Sequence, residues 1–361
     1  MQVPLFTGFP GFIAQQIMNE LIEQGKVKQM YALVLPSQME HAQTIANSMM
    51  SQEKGLTIHL VEGDITKPHL NIEGDILEKI QQDINTVWHL AAIYDLAVPK
   101  EAAVRVNVHG TAMVNDFVKS LPHLRKYIYF STAYVAGTRE GLLREDELIR
   151  PEAFKNFYEE TKFDAEVLVE ELKKDVPVTI IRPGIVRGHS KTGSTIKFDG
   201  PYFFINMIDR LKFLPFIPFV GKSKAYINVV PIDYVVKSVV YLSDKEEANG
   251  KTIHLTDPAS HPVEEVYRHM VAQITGKQPK GRVPLALAKA GLNSKFLRKT
   301  LGVEKETLDY LTWSAQFDTN IANSLLKDSQ IHCEDFIESL PTMLAFYELH
   351  KKDKHYHVVI E

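Results

Sequence analysis

Thr7-Gly8-Phe9-Pro10-Gly11-Phe12-Ile13-Ala14 follows directly on the short apolar run 3–6 and leads into residues that favour helix. A strand that turns tightly into a helix has this composition. Gly8 permits the turn, Gly11 lets the backbone approach a phosphate, and Ala14 is small enough for a helix to pack closely on its strand. The amides that open such a helix have no partners within it, so the turn suits an anion such as a dinucleotide pyrophosphate. A glycine turn can also serve packing alone, and the remainder of the chain decides between the two.

Outward from this turn, short β-prone runs alternate with longer amphipathic segments. Strands are expected at 3–6, 30–35, 57–61, 86–90, 127–131 and 178–181, and helices at 11–24, 101–120 and 157–174. That alternation specifies an α/β fold, a Rossmann-type doubly wound parallel sheet with helices on both faces. Pro4 cannot donate to a ladder, so the first strand should begin at or just after it. Beyond Arg182-Pro183-Gly184 the sequence becomes glycine-rich and then aromatic. A helix at 233–242 and a strand at 252–255 return the chain to the sheet. From 261 to 350 helix is expected to dominate, with Leu308, Leu311, Phe317, Ile321 and Leu325 at helical spacing. The expected division is a dinucleotide-binding domain, 1–187 and 225–257, and a smaller, mainly helical C-terminal substrate-binding region, 188–224 and 258–361.

The 361 residues are 45% apolar, enough to bury a core, and 41 basic against 45 acidic residues leave a formal charge of -4. No global basic field is present to hold nucleic acid or an anionic membrane. A single cysteine, Cys333, excludes an intramolecular disulfide and supplies no cysteine cluster for zinc. No metal is expected, and no targeting segment is visible, so the cytoplasm is the expected compartment. The apolar run 213–220 contains Pro215 and Pro218 and falls far short of the ~20 residues that span a bilayer. The basic tail 351–357, with His355 and His357, reads as a solvated, frayed terminus.

Tyr158-Glu159-Glu160-Thr161-Lys162 adds chemistry to this frame. Residues four apart share a helix face, so phenol and ammonium can point into one cleft. A positive charge beside a phenol lowers its pKa from about 10, as a tyrosine acting in proton transfer requires. The pair alone is also common on solvated helix surfaces.

The glycine turn, Gly63-Asp64, His89-Leu90-Ala91-Ala92, Ser131-Thr132-Ala133-Tyr134-Val135 and Tyr158 to Lys162 occur in an order that resembles the extended short-chain dehydrogenase/reductase family over roughly the first 260 residues. The resemblance implies hydride chemistry with Thr132, Tyr158 and Lys162 as catalytic residues. It implies cofactor contacts from Thr7, Gly8, Phe9, Pro10, Gly11, Phe12 and Ile13 at the turn, and from Asp64 and Ile65 toward the adenine. Ala91 and Ala92 would border the adenosine, with further contacts from Asn107, Ser131, Tyr158, Lys162, Pro183, Gly184 and Val186. Asn107 serves either to order the site or to pack a helix. Ser131 and Thr132 compete for the hydroxyl role, and counting back from Gly137 favours Thr132.

Within that family, Ser131 to Val135, Arg182-Pro183-Gly184-Ile185-Val186-Arg187-Gly188, Lys191-Thr192-Gly193 and Val229 to Val235 look most like the fatty acyl-CoA reductase and thioester reductase branch. The expected activity is reduction of an apolar acyl thioester, aldehyde or ketone, with Tyr202 to Ile205 and 213–220 as candidate apolar lining. Leu35 stands where the branch carries an arginine for the 2'-phosphate of NADP. No acidic residue replaces it, so NADP(H) is favoured over NAD(H). The family also allows a homodimer. Two alternatives stand beside this reading. A nucleotide-sugar epimerase or dehydratase with bound NAD would need diphosphate-binding arginines such as Arg282 and Arg298. A non-catalytic dinucleotide-sensing protein would need no proton donor.

Overall fold

Pro4 opens the first strand, the position at which a residue lacking an amide is tolerated inside a sheet. The computed structural model describes residues 1–95, 98–358 and 360. Strands β1 (Pro4–Thr7), β2 (Gln29–Val34), β3 (Thr57–Glu62), β4 (Thr86–His89), β5 (Lys126–Phe130) and β6 (Val178–Pro183) precede a short pair, β7 (Ile185–Arg187) and β8 (Val229–Pro231), and then β9 (Thr252–Leu255). Seven of them form one sheet in the order β9-β6-β5-β4-β1-β2-β3 with every neighbouring pair parallel, while β7 and β8 pair with each other. The order reverses direction at β1, so the glycine turn at its carboxyl end lies at the switch point, where open α/β sheets place their ligands.

The sheet is buried on both sides because successive side chains alternate. Leu5, Val87, Tyr127, Tyr129 and Ile180 enter one core with α3 (Gly74–Asp83), α4 (Gly110–Lys119) and α5 (Phe157–Leu172). Phe6, Trp88, Ile128, Phe130 and Ile181 enter the other with α1 (Phe12–Glu23), α2 (Met39–Gln52) and the helix Ile232–Ser243. The expected helix at 101–120 is continuous but not uniform. A turn at Lys100–Ala103 and a π-helical stretch at Val104–His109 precede α4.

A third core joins α6 (Tyr202–Leu211), which precedes the helix Ile232–Ser243 (α7), to α8 (Val263–Thr275) and to the helix Phe336–His350. Around it run α9 (Leu285–Leu292), α10 (Lys295–Leu301) and α11 (Asn320–Leu326), with Phe336–His350 as α12. Tyr202, Phe203, Phe204 and Ile205 are all buried in this core, so they pack the region instead of lining an open surface. The spacing across 308–325 does not mark one helix. Leu308 and Leu311 sit in a 3-10 turn, Phe317 ends a strand paired with Gly141–Leu143, and Ile321 and Leu325 belong to α11.

The tail is docked where fraying was expected. Tyr356 stacks on the buried Phe198 ring at 5.1 Å and its carbonyl accepts from the Phe198 amide at 2.6 Å. No described helix is long and apolar enough to cross a membrane.

Gly8 has φ +87°, and a Cβ added there would lie 2.7 Å from the Ala91 amide nitrogen and 2.8 Å from the Leu90 carbonyl carbon. Both obstacles are backbone and cannot swing aside. Gly8→Ala should therefore destabilise the cofactor-free protein by about 2 kcal/mol or more. An unchanged urea midpoint and slope would contradict this account of the turn.

Candidate functional site

The glycine turn is built from below by a chain of buried polar groups. Thr7 Oγ1 accepts from the Ala91 amide at 3.2 Å and lies 2.7 Å from His89 Nδ1. His89 Nε2 lies 3.1 Å from Thr111 Oγ1, whose own proton goes to the Asn107 carbonyl at 2.6 Å. Since the Thr111 proton is committed, His89 Nε2 donates to Thr111 and Nδ1 accepts from Thr7. The ring is therefore neutral. Burial holds it down at about 3, and the positive charge of Lys162 adds to the effect.

Above this support, the Gly11 amide donates to the Gly8 carbonyl at 2.8 Å and Gln15 Nε2 holds the Pro10 carbonyl at 2.6 Å. No side chain caps α1, and its first turn carries no acidic residue. Phe9 and Pro10 are buried beneath the turn, Phe12 and Ile13 are half-buried, and Gly11 is exposed. Uncapped amides with no competing carboxylate fit a pyrophosphate.

The other expected cofactor residues lie along the same edge. Thr7 pairs with His89, His89 with Tyr129, and Phe130 with Ile181, so β1, β4, β5 and β6 end side by side. Asp64, half-buried just past β3, accepts from the Thr66 amide at 2.8 Å. Ile65 is buried, and α4 passes so close to it that a Cβ on Gly110 would lie 2.7 Å from its Cδ1. Ala91 and Ala92 follow β4 half-buried. Pro183 ends β6, the Gly184 amide donates to the Leu255 carbonyl at 3.1 Å, and Val186 is half-buried in β7.

Tyr158 and Lys162 occupy the first turns of α5, whose start is fixed by a reciprocal cap. Asn156 Oδ1 accepts from the Glu159 amide at 2.9 Å, and Glu159 Oε2 accepts from the Lys155 amide at 3.1 Å. Thr132 Oγ1 accepts from the Tyr134 amide at 3.3 Å, and the Thr132 side chain lies near enough to the Tyr158 phenol to pull its pKa downward. Ser131 instead donates to Glu166, which leaves Thr132 as the hydroxyl facing the phenol. Asn107, 1% exposed, bonds the Ile93 amide and carbonyl at 2.8 and 3.0 Å and Thr161 Oγ1 at 3.0 Å, tying the end of β4 to α5.

Lys162 departs from expectation. Its ammonium donates to the Phe130 carbonyl at 2.6 Å and to Tyr129 Oη at 2.9 Å, and lies 4.4 Å from the Tyr129 ring centre. It is thus engaged with β5. Burial lowers it to about 7 against the opposing charge of Glu166. The Tyr158 phenol is accordingly not acidified. Burial pushes it up to about 12 and outweighs the lowering effect of the nearby Thr132 side chain.

The sequence reading assigned no role to three buried groups beneath the pair. Glu166, 0% exposed, accepts from Arg182 Nε at 2.9 Å and Nη2 at 2.6 Å. Arg182 also donates to the Glu147 carbonyl at 2.9 Å. Glu145 accepts from the amides of His254, Ile321 and Ala322. The signal for Glu166 was available, because it stands four residues beyond Lys162 on the same helix face. Among the described residues no grouping of His, Cys, Asp and Glu could hold a metal.

His89 carries a pH prediction. Its folded-state pKa is about 3 against 6.5 unfolded, so its stabilising contribution is complete above pH 6.5 and is lost as pH falls toward 3. Unfolding free energies from urea titrations across that window should fall less steeply for His89→Asn than for the parent, by an amount on the order of a few kcal/mol at the acid end. Identical slopes would mean that the ring is not buried neutral.

Comparison with known proteins places this geometry. The chain is 26% identical over 270 residues to the fatty acyl-CoA reductase wat of Drosophila melanogaster, covering 65% of this chain and 52% of that protein. The chain spans about half the length, or less, of several curated relatives it matches. In structure it is similar to the terminal R domain of the myxalamid PKS-NRPS biosynthetic pathway, with a TM-score of 0.82 at 24% identity over 99% of this chain and 93% of that one. A UDP-glucuronic acid 4-epimerase from Bacillus cereus, solved with UDP-glucuronic acid and NAD, shares the fold at TM-score 0.65 and 19% identity over 96% of this chain and 99% of that one. The family model described as male sterility protein, an NAD-binding class, matches residues 6–239. With nearly two thirds of its length matched and the glycine turn, Thr132, Tyr158 and Lys162 all inside that span, the chain belongs to the NAD-binding male sterility protein family.

Proposed function

We propose that this chain is an NAD(P)H-dependent oxidoreductase that reduces an apolar acyl thioester, aldehyde or ketone, with Tyr158 as proton donor. The observation that carries the reading is the meeting of Thr132 and Tyr158 beside the buried Lys162, on the sheet edge that also presents the glycine turn. The similarity to fatty acyl-CoA reductases supports an apolar acyl substrate. Residues 188–224 and 258–361 would form the region that receives it.

Residues 7–13 would hold the pyrophosphate of the cofactor, Asp64 and Ile65 its adenine, and Asn107, Ser131, Lys162, Pro183, Gly184 and Val186 would order its other end. Bound there, the cofactor would supply hydride to the carbonyl carbon. Thr132 donates a hydrogen bond to the carbonyl oxygen, and Tyr158 gives that oxygen its proton as charge develops there. A phenol with a pKa near 12 is protonated at neutral pH, as a donor must be. With a thioester, collapse of the hemithioacetal releases a thiol and an aldehyde. Exposed Leu35, Ser37 and Gln38 after β2 bring no carboxylate against a 2'-phosphate, which favours NADPH over NADH. A homodimer and a cytoplasmic setting complete the reading.

The epimerase alternative is weaker because its candidate diphosphate ligands are occupied. Arg282 is paired with Glu264 at 2.7 Å, and Arg298 donates to the Leu292 carbonyl at 2.8 Å and lies 3.9 Å from Glu304. A purely sensing protein has no use for the Thr132–Tyr158 contact.

Tyr158→Phe should lower turnover of a long-chain acyl-CoA with NADPH by about 10²- to 10⁴-fold while cofactor binding persists. Near-normal turnover in that variant would remove Tyr158 from the chemistry. Cofactor oxidised in proportion to thiol released is the result expected of the parent protein, and sugar isomerised with no net oxidation would favour the epimerase.

A further inference from the structure

The formal charge of -4 conceals a strong asymmetry. Residues 210–232 and 266–303 contain no Asp or Glu and hold 4 and 8 Lys or Arg respectively, so these windows carry 12 positive charges. The remaining chain holds 29 of the 41 basic residues and all 45 acidic ones. The two windows are also joined in space. Lys277 Nζ donates to the Leu214 carbonyl at 2.9 Å, Arg282–Val283 pairs with Phe219–Val220, and Arg210 donates to the Lys299 and Thr300 carbonyls at 2.6 and 2.8 Å.

Large apolar side chains stand exposed within the same two windows. Phe213 is 77% exposed, Phe296 76%, Leu287 64% and Phe216 50%. Some of the basic groups are matched by acids that flank the windows, as Lys212 is by Asp209 and Lys289 by Asp309. Lys222, Lys224, Lys280, Lys295 and Lys299 are exposed.

We propose that this face docks on an anionic lipid bilayer, with Phe213, Phe216, Leu287 and Phe296 entering the interfacial layer and the lysines facing lipid phosphates. Charge complementarity selects an anionic partner, and aromatic and leucine side chains protruding among lysines need an apolar layer directly beside that charge. A bilayer surface offers both, whereas water leaves the apolar groups exposed. The association is peripheral. It is also independent of the reaction assigned to Thr132 and Tyr158.

Flotation of the full chain with phosphatidylcholine vesicles, with and without phosphatidylglycerol, tests the proposal. Binding should require the anionic lipid, weaken with salt and fall about fivefold for each of Lys295→Gln and Lys299→Gln. The double variant Phe213→Ser, Phe296→Ser should abolish it, while Leu349→Ser, which changes an exposed leucine on α12, should not. Absence of binding to anionic vesicles would overturn the proposal and leave an acidic protein as the partner such a face would fit. Binding indifferent to the phenylalanine and lysine substitutions would overturn it equally.

Discussion

The buried ion pair between Glu166 and Arg182 fixes the relation between the helix that carries Tyr158 and Lys162 and the strands that end beneath them. Glu166 lies on α5, Arg182 on β6, and Ser131 at the end of β5 donates to the same carboxylate. Three elements therefore meet at one charge. A pair withdrawn from water contributes little net stability against a well-packed apolar replacement. Removal of one partner, however, would strand a buried charge at a loss of about 3–5 kcal/mol. The pair thus acts chiefly as a specification of geometry. Slippage of α5 along β5 would break three charge-assisted bonds together, and Thr132, next to Ser131, is held opposite Tyr158 by the same restraint.

The electrostatics above this clamp follow from burial. Lys162 and His89 are both driven toward neutrality by burial, which for Lys162 outweighs the opposing charge of Glu166, and each is hydrogen-bonded by fixed dipoles. Lys162 takes a carbonyl and a phenol of β5, while His89 takes two threonine hydroxyls. The Tyr158 phenol is driven the other way and keeps its proton.

Much of this was legible in the chain. Strands were placed to within a residue or two because buried parallel strands appear as short, nearly continuous apolar runs, and the strand at 252–255 was placed on its observed limits. The glycine turn and the Tyr158–Lys162 spacing were legible because their chemistry is local. The direction of the Lys162 ammonium was not, since its acceptors lie 33 and 32 residues away on a strand and helical spacing says nothing about them. The same limit hid the Ser131–Glu166–Arg182 cluster. At 308–325 apolar periodicity misled because three short elements, each too brief to show its own period, together mimicked one helix.

Arg182 has a second consequence, which links the site to the C-terminal region. Beyond Glu166, it donates to the carbonyl of Glu147 and reaches the Glu145 carbonyl at 3.4 Å. The Glu145 carboxylate receives the amides of Ile321 and Ala322, at the start of α11, and of His254 in β9. Burial raises Glu145 to about 7 even though three backbone amides oppose the shift, so the carboxylate is held where water would not place it. Ala322 and Leu326 of α11 accordingly pack into the core beside the sheet and not into the core formed by α6, α8 and α12. A single polar network therefore runs from the hydroxyl-bearing end of β5, through the ion pair, to the first turn of a helix from the distal part of the chain. Buried as they are, its members hold the carboxyl end of β5 and the C-terminal region in one register.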